Sequence, residues 1–312
     1  MRIASFNVQN LRLRRAPGGG GGRLDGARDA DMPGDTGPRA AALDPADRSL
    51  TAQVLAHADA DVVALQEVFD RDTLDHFHDR WLVPAGAAAY PFRYCLPGND
   101  GRGLDVALMS RIAPDRVESH AAETPASLGL DAPPGIDPQA PVFRRDCLEA
   151  RVGALTLFVC HFKAPYPDAG AAWPVRRMEA LAVRRLVERR FAGMPGALWL
   201  ILGDLNEPAG THGPGRAIAP LAEGFAVDLL ARLPAPARWS YHQPGDRVYS
   251  RPDAMLASPA LARDFPDATP RFLREGMGRE TARHAGPRAA GVGRHRPHAS
   301  DHAALAIEFP GL

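Results

Sequence analysis

Lysine is almost missing from this chain: Lys163 is the only one, while arginine, alanine, glycine and proline are abundant. That pattern fits a bias toward GC-rich codons, and it makes the surviving lysine worth noting. Cysteine is also scarce. Cys95, Cys147 and Cys160 are an odd number at wide spacing with no Cys-x-x-Cys pair, which excludes a zinc ribbon or a disulfide framework and leaves buried thiols of a reducing compartment. Charge of one sign is missing, since 37 basic residues balance 37 acidic ones, so no bulk field draws the chain to nucleic acid or an anionic membrane. No apolar run approaches the length of a spanning helix. The first residues enter a strand-like pattern with no apolar region of signal length, and the expectation is a cytoplasmic protein. Aromatics are only 7%, with no RNP-like motif and no recognition helix, so a stacking platform for single strands is not expected.

What remains is a globular composition, 45% hydrophobic and 24% charged over 312 residues. Residues 2–8 alternate as a strand does. Asp47 to Ala58 has helical spacing, with Leu50, Val54 and Leu55 on one face. Asp61 to Val68 reads as a buried strand, followed by helix near 70–82 and another strand from Leu104 to Met109. Cys147 to Val152 and Ala154 to His161 form a hairpin around Gly153. Trp173 to Phe191 is the clearest helix, and Leu198 to Leu202 a buried strand. Shorter strands fall at 251–257 and 303–309. Residues 16–45, 119–141 and 271–300 are Gly-, Pro- or Arg-rich loop insertions. The run Gly18 to Gly22 is no P-loop, because no Gly-Lys-Ser/Thr follows it. Strands and helices alternate throughout and no compositional break marks a second domain, so 1–312 is expected to be one α/β layered domain, and a monomer.

Several polar residues stand where apolar strands stop. Asn7 ends the first strand, Glu67 follows Ala64-Leu65-Gln66, and His161 follows Phe158-Val159-Cys160. Asp204 and Asn206 follow Trp199 to Gly203, Asp253 lies beside Ala254-Met255-Leu256, and Asp301 and His302 precede the last strand. Any one of these reads as a cap or a turn. Together they describe one rim of a sheet, where ligand sites of layered α/β proteins gather.

The segments Ser5-Phe6-Asn7-Val8, Leu65-Gln66-Glu67-Val68, Cys160-His161-Phe162-Lys163, Gly203-Asp204-Leu205-Asn206, Arg251-Pro252-Asp253-Ala254-Met255-Leu256 and Ser300-Asp301-His302 resemble, in order, the motifs of the endonuclease/exonuclease/phosphatase superfamily of DNase I-like phosphoesterases. The resemblance implies a four-layered α/β sandwich, two central and mostly antiparallel β-sheets flanked by helices. It implies one or two Mg2+ or Mn2+ ions and hydrolysis of a phosphate ester by water. Hard divalent cations take oxygen ligands, and the resemblance assigns Glu67, Asn7 and Asp301 to the metal. It assigns His302 to the scissile phosphate, as base or charged stabiliser, with Asp253 fixing its tautomer. Asp204 would position or deprotonate the attacking water, Asn206 would donate to a phosphate oxygen, and His161 would bind the phosphate and serve the leaving group. One departure is Pro252, where relatives carry an aliphatic residue. Proline cannot donate to a ladder, so this strand is expected to start at Asp253 or to lie on an edge.

For the substrate side, Arg102 precedes a strand and Lys163 lies two residues from His161, and both are candidates for phosphate contacts. Residues 271–300 carry seven arginines against Glu275 and Glu280 and run into Asp301-His302, which suggests a basic flap over the site. A phosphodiesterase or nuclease is the leading expectation, with nucleic acid a candidate substrate. A phosphomonoesterase or lipid-headgroup phosphodiesterase is the alternative.

Overall fold

The computed structural model describes residues 1–15, 22–29, 32–210, 213–243 and 248–312. Twelve strands form two six-stranded sheets. In chain order they are β1 (Arg2–Leu11), β2 (Val62–Val68), β3 (Phe92–Tyr94), β4 (Asp105–Ser110), β5 (Arg116–Ser119), β6 (Cys147–Val152), β7 (Leu155–His161), β8 (Leu198–Asp204), β9 (Val227–Asp228), β10 (Asp253–Ala257), β11 (Arg271–Leu273) and β12 (Ala304–Glu308). The first sheet runs β11-β12-β1-β2-β4-β3 and the second β9-β10-β8-β7-β6-β5. Each contains a single parallel pair, β1 with β2 and β7 with β8, and every other pair is antiparallel.

Period-two alternation sorts the strands into layers. Ile3, Val62, Ala64, Val106, Leu305 and Ile307 of the first sheet meet Leu155, Leu157, Val159, Leu200, Leu202 and Met255 of the second in one buried cluster. The outer face of the first sheet, with Phe6, Val8, Val63 and Leu65, packs on α1 (Asp44–Ala58) through Leu50, Val54 and Leu55. The outer face of the second, with Phe158, Cys160, Trp199 and Ile201, packs on α2 (Ala169–Arg190) through Met178, Ala182 and Val183. The order helix–sheet–sheet–helix is the expected four-layered sandwich. Parallel pairs need a crossover, and α1 and α2 are those crossovers. The three cysteines are free and buried, and among the described residues no helix is long and apolar enough to cross a membrane.

Two expected loops are more ordered than their composition suggests. In 16–45, Gly22–Leu24 pairs with Leu13–Arg15, Pro33–Asp35 and Gly37–Ala41 are short helices, and α1 begins at Asp44. Gly18 to Gly21 lie outside the described residues. Residues 271–300 open with β11 and then fold onto α1. Arg296 pairs with Asp44 at 3.0 Å and donates through Nε to Asp47 at 2.8 Å, while the His298 amide donates to Asp47 at 3.0 Å.

Candidate functional site

The inner faces of the strands become polar at one end of the slot between the sheets. Ile3-Ser5-Asn7, Leu155-Leu157-Val159-His161 and Leu200-Leu202-Asp204 are each one face of a strand read to its last turn. β10 begins at Asp253, opposite Asp204 in register, as Pro252 requires. It is interior, flanked by β8 and β9. The Cβ of any other residue at Gly203 would fall 2.1 Å from the Cys160 carbonyl oxygen, at φ +129°, so only glycine can precede Asp204 here.

Glu67 escapes the alternation. The β2–β4 register jumps between Gln66 and Val68, which makes Glu67 a bulged residue, and its φ of +67° turns the side chain toward the cleft. Two further non-glycine residues, Gln9 (φ +48°) and Asn10 (φ +56°), turn left-handed just after Asn7. Strain of this kind persists only where neighbours enforce it. Here the enforcer is Arg48 of α1, wholly buried. It donates to the carbonyls of Asp25 (2.6 Å), Val8 (2.7 Å) and Gln9 (2.6 Å). The turn so fixed delivers the Asn10 amide to Glu67 at 2.8 Å, the Gln9 amide to Asn7 Oδ1 at 3.0 Å, and the Gln9 side-chain oxygen to the Asp301 amide at 3.1 Å.

Asp204 lies at the centre. Its Oδ2 is 3.0 Å from Asn7 Nδ2, 3.6 Å from His161 Nε2 and 3.8 Å from His302 Nε2. Its Oδ1 accepts the Asn206 amide at 2.9 Å. Asn7 also donates to Glu67 at 3.3 Å, so one amide joins the two carboxylates. His302 Nδ1 contacts Asp253 Oδ2 at 2.8 Å, and Ser240 donates to the same oxygen at 2.6 Å. Tyr241 lies 4.8 Å from the His302 ring, centroid to centroid. The cleft has a volume of about 750 Å3, and its walls include Glu67, Arg102, Arg145, His161, Asp204, Asn206, Asp301 and His302. Asn7 and Asp253 stand one layer behind them.

Burial and charge set the protonation states. Burial opposes a charged His302, but Asp253, Asp301 and Asp204 outweigh it and hold the imidazolium well above the usual histidine range. Burial, reinforced by the charges of Arg145 and His302, keeps His161 neutral. Burial raises Asp204 despite the His302 charge. Asp301 is pushed up to about 6 by burial, with Glu67 and Asp29 adding repulsion.

The remaining sequence candidates fare unequally. Arg102 lines the cleft, but its guanidinium is held by Asp100 at 2.9 Å and 3.1 Å. Lys163 does not reach the cleft wall, because its ammonium caps the carbonyls of Ala164 and Tyr166. Nothing from 271–300 lines the cleft either. Arg279 Nε donates to Val292, Arg288 to Met277, Gly278 and Thr281, and Arg296 is paired as described. The expected basic flap is instead a packed cover over α1. Sequence reasoning passed over Gln9, Asn10, Arg48, Arg145, Tyr241 and Ser240. Of these, only the run Asn7-Val8-Gln9-Asn10, polar where the strand ends, gave a signal.

Glu67 and Asp301, with Asn7 behind, offer hard oxygen atoms, and among the described residues neither carboxylate has an ion-pair partner. That donor set and the raised Asp301 fit a divalent cation. A different group, Glu118, His120 and Glu149 at the β5–β6 edge, brings three potential ligand atoms within 4.8 Å. There Arg190 already binds Glu118 at 2.7 Å and Glu149 at 2.9 Å, and Arg116 also pairs with Glu149, so the charge is balanced.

A two-sheet sandwich with an acid–histidine cleft at one end of the sheets is an architecture of phosphoester-hydrolysing enzymes. The sequence pattern of the Endonuclease/Exonuclease/phosphatase family matches residues 4–302, and the chain belongs to that family, whose members are metal-dependent phosphoesterases. No curated protein matches it in sequence. Among solved structures it is similar to truncated TDP2 of Caenorhabditis elegans, with 16% identity, 98% of this chain and 96% of that chain covered, and a TM-score of 0.56. A mannosyl-6-phosphatase of Bacteroides thetaiotaomicron shares 13% identity, with 99% and 98% covered and a TM-score of 0.56. A Neisseria 3′ phosphatase, NExo, bound to a product DNA hairpin shares 19%, with 99% of each chain covered and a TM-score of 0.52. At these identities the likeness is one of fold.

Proposed function

We propose that this protein hydrolyses phosphate esters by water attack, with Asp204 and the His302–Asp253 pair as its reacting core and a divalent metal on the Glu67 side. The observation that carries this reading is the position of Asp204 Oδ2, between Asn7 at 3.0 Å, His161 at 3.6 Å and His302 at 3.8 Å. A phosphate ester is anionic and repels its nucleophile, so charge has to be neutralised and the attacking water held in line. Asp204, with its proton affinity raised by burial, is the group that orients that water and takes its proton. His302, kept charged by Asp253, donates Nε2–H to a phosphate oxygen and acts as stabiliser, not base. His161, kept neutral, offers its Nε2 to the same phosphate as a hydrogen-bond partner. A proton for the leaving group would therefore come from elsewhere than an imidazolium at this position. Asn206 is fixed by its bond to the Phe162 carbonyl at 3.0 Å, which spends one amide hydrogen and leaves the second for substrate. Glu67, Asn7 and Asp301 would hold Mg2+ or Mn2+. Such an ion, when bound, supplies Lewis-acid stabilisation of the phosphoryl oxygens and of the leaving oxygen.

For the substrate, the cleft favours a compact phosphoester, monoester or small diester, over a long polyanion. Its arginines are few: Arg28 and Arg102 are engaged by Asp44 and Asp100, and Arg145 is buried. The nuclease reading keeps one specific support. Tyr166 on the cleft wall is 63% exposed, and such a ring can stack on a base. The experiment is a panel of p-nitrophenyl phosphate, bis-p-nitrophenyl phosphate, plasmid DNA, RNA and abasic DNA with Mg2+ or Mn2+. Turnover of a small ester with DNA untouched supports the compact-substrate reading. Efficient DNA cleavage overturns it in favour of the nuclease. No hydrolysis of any ester with either metal removes the phosphoesterase reading.

A further inference from the structure

A second cavity, of about 520 Å3, shares no lining residue with the cleft. Its walls include Trp239, Arg274, Arg283 and His284, with prolines at the rim and no carboxylate. The Arg274 guanidinium is held between two aromatic rings, 4.2 Å from the Trp239 centroid and 4.3 Å from that of Phe272. Its Nη2 donates to the carbonyls of Ala237 and Trp239 at 2.6 Å and 2.5 Å. Its Nε is buried without an acceptor, and among the described residues no acid pairs with it. Burial alone lowers its pKa, to about 10, with no carboxylate acting against that. Arg283 lies over the Tyr249 ring at 4.3 Å and likewise has no acidic partner among the described residues.

A purely structural role accounts for the two carbonyl bonds of Arg274. It does not account for the orphaned Nε, or for a second guanidinium and an imidazole facing the same space. Other buried guanidinium groups with unsatisfied nitrogens still have a carboxylate nearby: Arg176 Nε lies 4.0 Å from Glu207, and Arg296 meets both Asp44 and Asp47. A desolvated cation without a counter-charge is costly, and the usual remedy is a bound anion. Flanking aromatic rings exclude water and strengthen the attraction.

We infer that this cavity binds a small tetrahedral dianion, free phosphate or the phosphate group of a metabolite, between Arg274 and Arg283. Two guanidinium groups match a charge near −2, and planar donors pair in fork geometry with phosphate oxygens. His284 donates its Nε2 contact to the Pro287 carbonyl at 3.2 Å, which leaves it as a wall and not a third charge. The site stands independently of the chemistry in the cleft.

The test is calorimetric titration of the metal-free protein with inorganic phosphate at constant ionic strength, repeated on His302→Ala protein to weaken binding in the cleft. One saturable site should survive His302→Ala. Arg283→Ala and Arg274→Gln, each in that background, should weaken it by at least about tenfold, the worth of one charge-assisted contact. Absence of saturable binding in the His302→Ala protein overturns the inference, as does binding that Arg283→Ala leaves within about twofold. Should Arg274→Gln fail to fold, Arg283→Ala alone decides, since that side chain is exposed. Glucose 6-phosphate in place of phosphate separates the two sources of the dianion: tighter binding assigns the site to a metabolite, weaker binding to the free ion. Succinate bound as tightly as phosphate would overturn the tetrahedral assignment.

Discussion

Each sheet of this protein contains one strand–helix–strand crossover, and the two are built alike. In the first, β1 bears Asn7 just before its left-handed turn, α1 crosses the outer face, and β2 bears Glu67 next to its last residue. In the second, β7 ends at His161, α2 crosses the opposite outer face, and β8 ends at Asp204. Both helices send a fully buried arginine to carbonyls near the polar end of the first strand. Arg48 takes three carbonyls at 2.6–2.7 Å, whereas Arg176 donates to Lys163 at 3.0 Å and leaves Nε and Nη2 without hydrogen bonds, Nε standing 4.0 Å from Glu207. The halves thus share an architecture and diverge in how the turn is held. One arginine takes the carbonyls of the first turn, on the proposed metal side. The second is shared among Arg176, Arg145 and Asn206, with Glu179 accepting the Lys163 amide.

Separating the Asp204–His302 core from the proposed metal side at Glu67 gives the largest expected effect. Asp204→Asn and His302→Ala should each lower kcat on any working substrate by on the order of 10²–10⁴-fold, with metal half-saturation little changed. Glu67→Gln should instead raise the metal concentration needed for activity. Wild-type metal dependence in Glu67→Gln, or losses below about tenfold in both other variants, would dissolve the division of labour.

Next in size is the difference between the two buried arginines. Arg48→Met should destabilise the fold by about 3–5 kcal/mol, since it strands three carbonyls. Arg176→Met should cost about 1–2 kcal/mol for its one bond. Chemical denaturation of both variants measures this, and equal losses would mean that the two turns are held alike.

Acid should also tell the halves apart. His298, above the first turn, is lowered to about 3 by burial, with the His295 charge adding to it. A depressed histidine stabilises above its unfolded value near 6.5 and loses that contribution as pH falls, at up to about 1.4 kcal/mol per pH unit. Glu149, in the second sheet, is lowered to about 2: burial opposes this, and bonds from His120, Arg190 and Arg116 outweigh it. Its contribution is present above its unfolded value of 4.5 and fades only below that. His161 titrates with the same sign as His298, and the raised carboxyls of Asp204 and Asp301 with the opposite sign, so each variant is read against the wild type. His298→Gln should remove a loss that sets in near 6.5 as pH falls, and Glu149→Gln one that sets in only near 4.5. Unfolding free energies of His298→Gln and wild type that run parallel from pH 7 to 4.5 contradict the assignment to His298.

The smallest effect is expected where the sequence promised a large one. Arg294→Gln, in the cover over α1, should change stability by less than about 0.5 kcal/mol and leave the salt dependence of KM as it was. A shallower salt slope would restore the basic-flap reading.

Much of the cleft rim was readable because strand periodicity is readable. Apolar runs that stop at Asn7, His161 and Asp204 put those side chains at one edge of one slot, and Pro252 marked where β10 begins. The left-handed turn at Gln9 and Asn10 was not readable, because neither residue type announces it and its cause, Arg48, lies some forty residues on, in a helix. The arginines of 271–300 misled for a related reason. Charge counted along a sequence says nothing of carbonyls and carboxylates that folding brings beside it, and Arg279, Arg288 and Arg296 each find such partners. Lys163 stood out by its rarity, yet it caps two carbonyls.

The strand β1 pairs on one side with β2 and on the other with β12, so that Ser5 faces both Ala64 and Leu305. During synthesis the first half-sheet can assemble early, but its central strand keeps an open edge until the last strand leaves the ribosome. Asp253 and His302 arrive in that same closing stretch. A nascent chain therefore carries Asn7 and Glu67 in place long before the cleft is complete, and the proposed hydrolysis must wait for the step that seals the sheet.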